Sequence, residues 1–278
     1  MTDLSNQQRF AANINLIKRI ENYWSTRADA FGMLRREELA GHRARLWKEE
    51  IIGHFPDINT PLNILDVGTG TGFFAILLAK AGHIATGIDI SPKMLAGARK
   101  LAKQENCRVD FLQMDVSAPL FADNSFDCIV GRNITWTLPD AEKAYREWHR
   151  ILKPGGLLIN FDADYGRVNF TDLRTYNGRH AHSDLSEALV LEGEKIRKEL
   201  PISSRLRPEW DLDVLDKSGF TNLFCDREIS NRIYAIKDST YNPVPMFSIG
   251  GRKAIDSLCE QDSTCADNSP LKGEGTSY

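Results

Sequence analysis

The sequence predicts an α/β protein with a doubly wound, mostly parallel sheet and helices on both faces. Two observations support this prediction. Short apolar runs alternate with helical patterns between residues 62 and 162, and a glycine-rich segment, 68–72, follows the first run. Strands that alternate with helices form right-handed crossovers, which make successive strands parallel. Glycine allows a sharp turn after a strand and lets a ligand lie against bare backbone.

The apolar periodicity places the elements in order. It predicts strands at 62–67, 84–89, 108–112, 126–131 and 156–162, and helices at 73–81, 92–104 and 139–152. Residues 163–183 are polar and are expected to form a long loop, followed by helices at 184–199 and from Pro208 to Gly219. Apolar runs at 221–228 and 245–251 predict two more strands, which gives seven.

The N-terminal region is expected to be helical. Apolar side chains recur at three- and four-residue intervals, as on one face of a helix pair: Leu16, Ile17, Ile20, Tyr23, Trp24, Ala28 and Phe31. A third helix is expected at 42–55, before Pro56.

Composition limits the classes of partner. The net charge is −3 and the pI about 6.1, with no long basic run, which argues against a nucleic-acid backbone as the main partner. No apolar stretch approaches the roughly 20 residues of a membrane span, and the N-terminus lacks signal-peptide regions. We therefore expect a cytoplasmic protein. Five cysteines without a C-x-x-C pair predict reduced thiols and no metal site.

The glycine spacing narrows the ligand class. Gly68, Gly70 and Gly72 form G-x-G-x-G, whereas the dinucleotide fingerprint is G-x-G-x-x-G, and Phe73 stands where its third glycine would fall. No Gly-Lys-Ser/Thr follows, so the loop is not a P-loop. An acid, Asp89, ends the next apolar run. This pattern predicts a nucleoside site at the strand ends.

Five segments together resemble a class I S-adenosylmethionine-dependent methyltransferase: Asp66-Val-Gly-Thr-Gly-Thr-Gly72, Asp89, Met114-Asp115-Val116, Ser125-Phe126-Asp127 and Leu152-Lys153-Pro154-Gly155-Gly156. The likeness covers residues 45–162 closely and extends more loosely to 253. It is similar to the group that methylates quinones, sterols and other metabolites. The resemblance implies a Rossmann-like seven-stranded sheet with an antiparallel C-terminal hairpin, S-adenosylmethionine as cofactor, and a small-molecule methyl acceptor.

The resemblance also implies a domain organisation. Residues 1–44 are expected to form a helical lid over the cofactor. Residues 45–256 are expected to be the S-adenosylmethionine-binding domain, with a helical and loop insertion at about 163–210. Residues 257–278 are rich in Ser, Asp and Gly and are expected to be a disordered tail.

The resemblance assigns cofactor contacts to particular residues. It places the glycine loop at the methionyl and ribose part, Asp66 near the methionyl amine and Asp89 on both ribose hydroxyls. The full set expected to contact the cofactor is Tyr23, Arg27, Asp66, Gly68, Thr69, Gly70, Gly72, Asp89, Ile90, Met94, Asp115, Val116, Arg132 and Asn133. Within it, Ile90, Asp115 and Val116 are expected at the adenine, and Tyr23 or Arg27 at the carboxylate.

Several of these residues have plain structural alternatives. Asp89 can cap the following helix, but Ser91 with Pro92 can fill that role. Asp115 can form a turn. Trp136 can wall the acceptor or pack on the helix at 139–152, and the aromatic residues near the N-terminus can simply bury their helix.

The acceptor and any catalytic base are less clearly marked. His180 and His182 are the candidate bases, while His149 is expected to pack within its helix. A polar cluster after the fifth strand, Asp162, Asp164, Tyr165 and Arg179, favours a polar acceptor. A protein or RNA methyltransferase with the same cofactor site remains an alternative, as does a non-catalytic S-adenosylmethionine-binding protein. The chain is expected to be a monomer or homodimer.

Overall fold

The computed structural model describes residues 6–57, 59–173, 180 and 185–255. The predicted tail, 257–278, lies outside these residues, as do His182, Arg179, Cys259 and Cys265. The helices are α1 (Asn6–Ala40), α2 (His42–Ile52), α3 (Phe73–Lys80), α4 (Pro92–Gln104), α5 (Ala141–Ile151), α6 (Phe170–Leu173), α7 (Glu187–Glu199), α8 (Glu209–Lys217) and α9 (Ile229–Ile233).

The described strands form one seven-stranded sheet, which confirms the predicted fold class. The strands are β1 (Asn63–Val67), β2 (Ile84–Asp89), β3 (Asp110–Gln113), β4 (Phe126–Arg132), β5 (Leu152–Ala163), β6 (Phe220–Asp226) and β7 (Met246–Lys253). Their spatial order is β3-β2-β1-β4-β5-β7-β6. The first five are parallel, and β7 pairs antiparallel with both β5 and β6. The strand order reverses between β1 and β4, where ligands of such sheets bind.

Two apolar cores lie on the two faces of the sheet. In β1, Ile64 joins one core and Leu65 the other, as the two-residue period of a strand requires. Trp47 and Phe74 belong to the first core, beneath α2 and α3. Tyr145 and Trp148 of α5 belong to the second. Because both faces are covered, the central strands are buried almost throughout.

The N-terminal region corrects one prediction. A helix pair is expected before residue 42, but α1 is a single helix of 35 residues. Gly32 lies inside it without interrupting it, and a Cβ there would meet only the Thr71 methyl group, at 3.9 Å. The helix ends before Gly41, whose backbone is extended. A 35-residue helix is roughly 50 Å long at 1.5 Å per residue, so α1 can cross the whole carboxyl edge of the sheet.

Local caps fix the helices that follow the binding edge. The Ser91 hydroxyl accepts a hydrogen bond of 3.2 Å from the Met94 amide, and Pro92 occupies the first helical position. This confirms the predicted cap of α4. Asp140 caps α5 by accepting from the Lys143 amide at 2.8 Å. No helix within the described ranges is both long enough and apolar enough to span a membrane.

Candidate active site

A cavity of about 350 Å³ lies at the carboxyl ends of the central parallel strands. One wall is a face of α1 that runs from Asn13 to Arg35. The opposite wall consists of the glycine loop, the end of β2 and the loops after β3 and β4. This volume falls in the roughly 300–1,000 Å³ range of small-molecule sites.

The three loop glycines have different surroundings. A Cβ at Gly70 would have only the Met94 sulfur within 4 Å, at 4.0 Å, so space beside this backbone is open on the cavity. A Cβ at Gly68 would instead lie 2.5 Å from Ile134. Gly72 has φ of 88° and packs against Phe111, and it is absent from the described cavity lining. Gly70 therefore fits a ligand lying on the loop, whereas Gly72 serves the turn into α3.

Asp66 is a buried acid at the end of β1. Its Oδ2 accepts from the Thr69 hydroxyl at 2.6 Å and the Ala75 amide at 3.0 Å. Burial raises the pKa of Asp66 to about 7, against the effect of those hydrogen bonds. Both hydrogen bonds that this carboxylate accepts from described residues end on Oδ2, and the residue lines the cavity. Oδ1 is thus available to a ligand donor such as the methionyl amine.

Asp89 ends β2 and also lines the cavity. Its Oδ1 accepts from the Ser91 amide at 2.8 Å and its Oδ2 from the Gly70 amide at 2.9 Å. Each carboxylate oxygen has a second lone pair for another donor, so the side chain is oriented and can still accept from two hydroxyls. Burial raises the pKa of Asp89 to about 6. Two cavity acids with raised pKa are typical of a functional site.

The loop after β3 brings Asp115 and Val116 to the same cavity. The Asp115 Oδ1 accepts from the Ser117 amide at 2.8 Å, so this side chain does form the turn considered as an alternative. Trp148 of α5 donates to the Val116 carbonyl at 2.9 Å and holds the loop in place. Ile90 and Met94 also line this part. The turn therefore presents an acid and an adjacent amide to the expected adenine position.

Arg132 lines the cavity and also makes a contact that the sequence does not predict. Its guanidinium donates to Glu38 of α1 through two nitrogens, at 3.1 and 3.0 Å, and to the Tyr234 hydroxyl at 2.6 Å. It also lies 4.4 Å from the Trp47 ring centroid. These contacts join α1 to the end of β4, while the buried Arg132 Nε has no hydrogen-bond partner among the described residues. The cofactor contact of Arg132 stays a prediction.

Aromatic rings surround the other half of the cavity. Trp136 lies at centroid distances of 6.1 Å from Trp24, 4.7 Å from Tyr165 and 5.5 Å from Phe170. The buried Trp136 Nε1 has no hydrogen-bond partner among the described residues. Asn133 lies beside this group, with a left-handed φ of 55° and its Oδ1 accepting from the Tyr165 hydroxyl at 3.3 Å. Trp136 thus walls the cavity and carries an orphan donor.

Tyr23 and Arg27 border the same aromatic half. Arg27 donates to the Tyr23 hydroxyl at 3.0 Å and lies 4.7–5.4 Å from the ring centroids of Tyr23, Trp24 and Phe31. A Cβ at Gly193 of α7 would lie 3.0 Å from the Tyr23 hydroxyl, so this pair faces α7. Both side chains are buried and line the cavity.

Asp162, a member of the polar cluster expected after β5, is engaged by protein groups. Asp162 is fully buried, and its Oδ2 accepts from the Thr135 hydroxyl, the Trp136 amide and Arg207. Arg207 also pairs with Asp211 of α8 at 2.8 Å. A charged acceptor therefore cannot reach Asp162 in this structure. The carboxylate instead fixes the backbone that carries Trp136 into the cavity.

The structure does not bring either candidate base, His180 or His182, to the described lining of the cavity. His180 is buried and is absent from the described cavity lining. His182 lies outside the described residues. His149 packs against Phe220, at a centroid distance of 5.0 Å. The catalytic roles of His180 and His182 remain predictions.

Sequence reasoning missed part of the α1 wall. Besides Tyr23 and Arg27, this helix contributes Asn13, Ile14, Ile17, Ile20, Trp24, Phe31 and Arg35 to the lining. These positions follow three- and four-residue intervals along one helical face. That pattern would have included Arg35 had α1 been treated as one helix. The contact of Glu38 with Arg132, by contrast, leaves no signal in sequence spacing.

Comparisons with known proteins agree with this geometry. Residues 65–160 match the model of the methyltransferase domain family. The chain is 40% identical over 101 residues to a demethylmenaquinone methyltransferase of Thermus thermophilus, a match covering 36% of this chain and 46% of that protein. It is 34% identical over 148 residues to a ubiquinone/menaquinone biosynthesis C-methyltransferase of Rickettsia prowazekii, covering 50% and 58%. The match identifies residues 65–160 as a methyltransferase domain.

Solved structures support the fold. A phosphoethanolamine N-methyltransferase 2 of Haemonchus contortus, bound to phosphomonomethylethanolamine and S-adenosylhomocysteine, matches with a TM-score of 0.57 and 20% identity, covering 84% of this chain and 60% of that one. A possible histamine N-methyltransferase of Thermotoga maritima matches at 0.52 and 20%, covering 84% and 99%. The chain spans about half the length of the curated relatives it matches.

Proposed function

We propose that this protein transfers the methyl group of S-adenosylmethionine to a small planar acceptor held beneath α1. The observation that carries the proposal is the single cavity wall formed by α1, which lies across both the glycine loop and the aromatic cluster. A peptide or RNA substrate needs an open cleft at this place. A cavity of about 350 Å³ beneath a helix favours a small molecule.

The cofactor half of the cavity fits S-adenosylmethionine. Gly70 leaves open backbone, Asp89 offers two acceptor oxygens for ribose hydroxyls, and Asp66 offers Oδ1 to the methionyl amine. Asp115 and the Val116 amide supply the acceptor and donor that adenine needs. When bound, the cofactor supplies a methyl group already activated by its sulfonium and leaves as S-adenosylhomocysteine.

The aromatic half favours a flat acceptor over an aliphatic one. Rings of Trp24, Trp136, Tyr165 and Phe170 meet edge-on or tilted, which suits a planar ligand. The Trp136 Nε1–H has no hydrogen-bond partner among the described residues, and an acceptor atom of the ligand, such as an oxygen, would satisfy it. The guanidinium of Arg27 among these rings disfavours a cationic amine through like charge. The acceptor we propose is therefore a neutral or anionic ring that bears oxygen.

The protein's part in the reaction is orientation and exclusion of water. The acceptor nucleophile bonds to the methyl carbon as the bond from that carbon to sulfur breaks. Alignment of this kind supplies roughly 7–11 kcal/mol in well-ordered systems. Trp136 is held for this purpose by the bond between its amide and the buried Asp162. An acceptor that arrives ionised needs no base.

A direct assay tests the proposal. Purified protein is incubated with S-adenosylmethionine and matched panels of phenols or quinols, aliphatic amines, peptides and RNA. Release of S-adenosylhomocysteine and a methyl mass gain are measured for each panel. We expect turnover with oxygen-bearing rings. Turnover confined to peptides or RNA would refute the small-molecule assignment, and turnover confined to amines would refute the acceptor class.

A further inference from the structure

Three charged side chains meet where α1 reaches the ends of β1 and β4. Glu38 is fully buried and accepts both guanidinium contacts of Arg132. Arg35, one helical turn before Glu38, forms an ion pair with the same carboxylate. The Trp47 indole donates to Glu38 as well, at 2.9 Å. One carboxylate is therefore shared by two guanidinium groups.

This cluster carries an excess of positive charge. Burial favours neutral Glu38, but the charges of Arg132 and Arg35 outweigh burial and lower the pKa of Glu38 to about 2, so Glu38 is ionised. The two guanidinium groups and the single Glu38 carboxylate give this buried cluster a net charge of +1. Asp66 is the other acid that interacts with Arg132, and its pKa is raised to about 7, so it supplies at most part of a further negative charge. Buried charge without full compensation is costly.

Arg35 and Arg132 both line the cavity, with side-chain exposures of 11% and 7%. Arg132 uses two nitrogens on Glu38 and one of them also on Tyr234, whereas the Arg35 ion pair with Glu38 uses one nitrogen, so Arg35 has more donors to offer a ligand. Burial and the charge of Arg132 lower the pKa of Arg35, so a second anion would relieve this site. The Arg35 guanidinium lies 6.0 Å from the ring centroid of Phe73, the residue that directly follows the glycine loop.

Arg27 lies toward a different part of the cavity. Its hydrogen-bond partner, Tyr23, borders Gly193 of α7, and its guanidinium lies among the aromatic rings. Eight residues separate Arg27 from Arg35, which is roughly 12 Å along a helix. The two guanidinium groups flank the Phe31 ring, Arg27 at 4.7 Å and Arg35 at 5.2 Å from its centroid, and they extend from it in different directions. Arg35 lies on the side of the glycine loop and Arg27 on the side of α7.

We propose that Arg35 binds the carboxylate at the amino-acid end of S-adenosylmethionine, while Asp66 Oδ1 accepts from the amino group of that end. This inference rests on the proposed function. It replaces the expectation that Tyr23 or Arg27 holds the carboxylate. Since Arg35 belongs to α1 and Asp66 to β1, the amino-acid end of the ligand bridges the helix and the sheet. Cofactor binding then holds α1 over the acceptor half.

A comparison of two ligands distinguishes binding of the amino-acid end from binding of the nucleoside. S-adenosylhomocysteine carries the amino-acid end, whereas 5′-methylthioadenosine has the same nucleoside without it. We expect Arg35→Gln to weaken calorimetric binding of S-adenosylhomocysteine at least about tenfold and to leave 5′-methylthioadenosine within about twofold, because only a charge-assisted hydrogen bond to the former is lost. Arg36→Gln, at the exposed neighbouring position, is the matched control and should change neither affinity.

The remaining outcomes are distinct. Equal effects of Arg35→Gln on both ligands, or no effect on either, would overturn the inference. Loss of the preference for S-adenosylhomocysteine in Arg27→Gln but not in Arg35→Gln would overturn it in favour of Arg27. Failure of the unmodified protein to bind either ligand would refute the proposed function itself. Retained 5′-methylthioadenosine binding reports that Arg35→Gln is folded, which is expected since Glu38 keeps Arg132.

Discussion

The two halves of the cavity are built in opposite ways. The cofactor half comes from residues 66–94 and 115–117, which lie close to strand ends and are held by backbone hydrogen bonds. The aromatic half combines α1, the loop after β4 and three residues that follow β5, Tyr165, Phe170 and Leu185, and side-chain packing holds it together. The first half is locally encoded, while the second depends on contacts between distant segments.

This difference implies different responses to mutation. In the cofactor half, a single carboxylate such as Asp89 has defined hydrogen-bond partners, so its loss removes a defined set of contacts. In the aromatic half, neighbouring rings share the lining, so one substitution changes packing and specificity by smaller amounts. The following predictions test that contrast, in order of decreasing effect.

Asp89→Ala should have the largest effect. It removes the proposed acceptor for the ribose hydroxyls and the Oδ2 hydrogen bond that holds the Gly70 amide. We expect calorimetric affinity for S-adenosylhomocysteine and for 5′-methylthioadenosine to fall about 10- to 100-fold, because two hydrogen bonds to a charged group are lost. Asp110→Ala, at the exposed start of neighbouring β3, is the control. Unchanged affinity in Asp89→Ala would show that the nucleoside binds elsewhere.

Asp66→Asn should weaken binding and stabilise the protein. The amide oxygen can replace Oδ2 and keep the bonds from Thr69 and Ala75, while the amide nitrogen opposes a ligand ammonium. Burial raises the pKa of Asp66 from 3.8 to about 7, so the folded state holds this proton more tightly than the unfolded chain. The stability from protonation is complete below pH 3.8 and is lost as the pH rises through about 7.

The neutral amide avoids that loss. At pH 8 we expect Asp66→Asn to raise the free energy of unfolding by about 1–3 kcal/mol and to lower S-adenosylhomocysteine affinity about tenfold. At pH 5 the gain in stability should be smaller, because the folded Asp66 is then protonated and only the unfolded chain ionises; the gain vanishes below pH 3.8. Denaturant unfolding at both pH values measures this. A gain equal at pH 5 and pH 8 would contradict the raised pKa of Asp66.

Trp136→Phe tests the aromatic half. It keeps a ring in the wall and removes the orphan Nε1–H. We expect the KM for the acceptor to rise about three- to tenfold with the KM for S-adenosylmethionine unchanged, and the free protein to gain up to about 1 kcal/mol, since an unsatisfied buried donor is removed. Steady-state kinetics and thermal unfolding measure the two effects. An unchanged acceptor KM would show that the indole N–H does not contact the acceptor.

Arg19→Gln should have the smallest effect. Arg19 of α1 pairs with Glu192 and Glu199 of α7, at 2.8 and 2.7 Å, on a partly exposed surface. Such pairs contribute about 0–1 kcal/mol and are screened by salt. We expect a change in unfolding free energy below about 1 kcal/mol that disappears in 1 M salt. A larger, salt-independent loss would show that this contact is essential to the seating of α1.

Much of the fold was predictable because its rules are local. Alternating periodicity located β1, α3, β2 and α4 to within about one residue, and Ser91 with Pro92 marked the start of α4. The C-terminal antiparallel strands followed from the family resemblance and are confirmed. By contrast, α1 was expected to be a helix pair, because periodicity shows a helical face but does not show where a helix bends.

The candidate site divides in the same way. The expected cofactor residues other than Gly72 lie together around the cavity, since parallel strands end at one edge. Arg132, which lines the cavity, also pairs with Glu38, 94 residues away in sequence. Asp162 was expected near the acceptor and is buried against Thr135 and Arg207. Such pairings depend on three-dimensional proximity, which spacing along the chain does not encode.

The sequence alone indicates the methyl donor, because its five motifs resemble the S-adenosylmethionine-dependent family and its glycine loop, Asp66 and Asp89 lie within one strand–turn–helix unit and its neighbour. What closes that site and what shapes the acceptor space depend on contacts between distant segments. The position of α1 depends on the buried contact of Glu38 with Arg132, and the position of Trp136 depends on Asp162. These contacts join segments that are distant in sequence, and they become strong only when the packed segments exclude water from them.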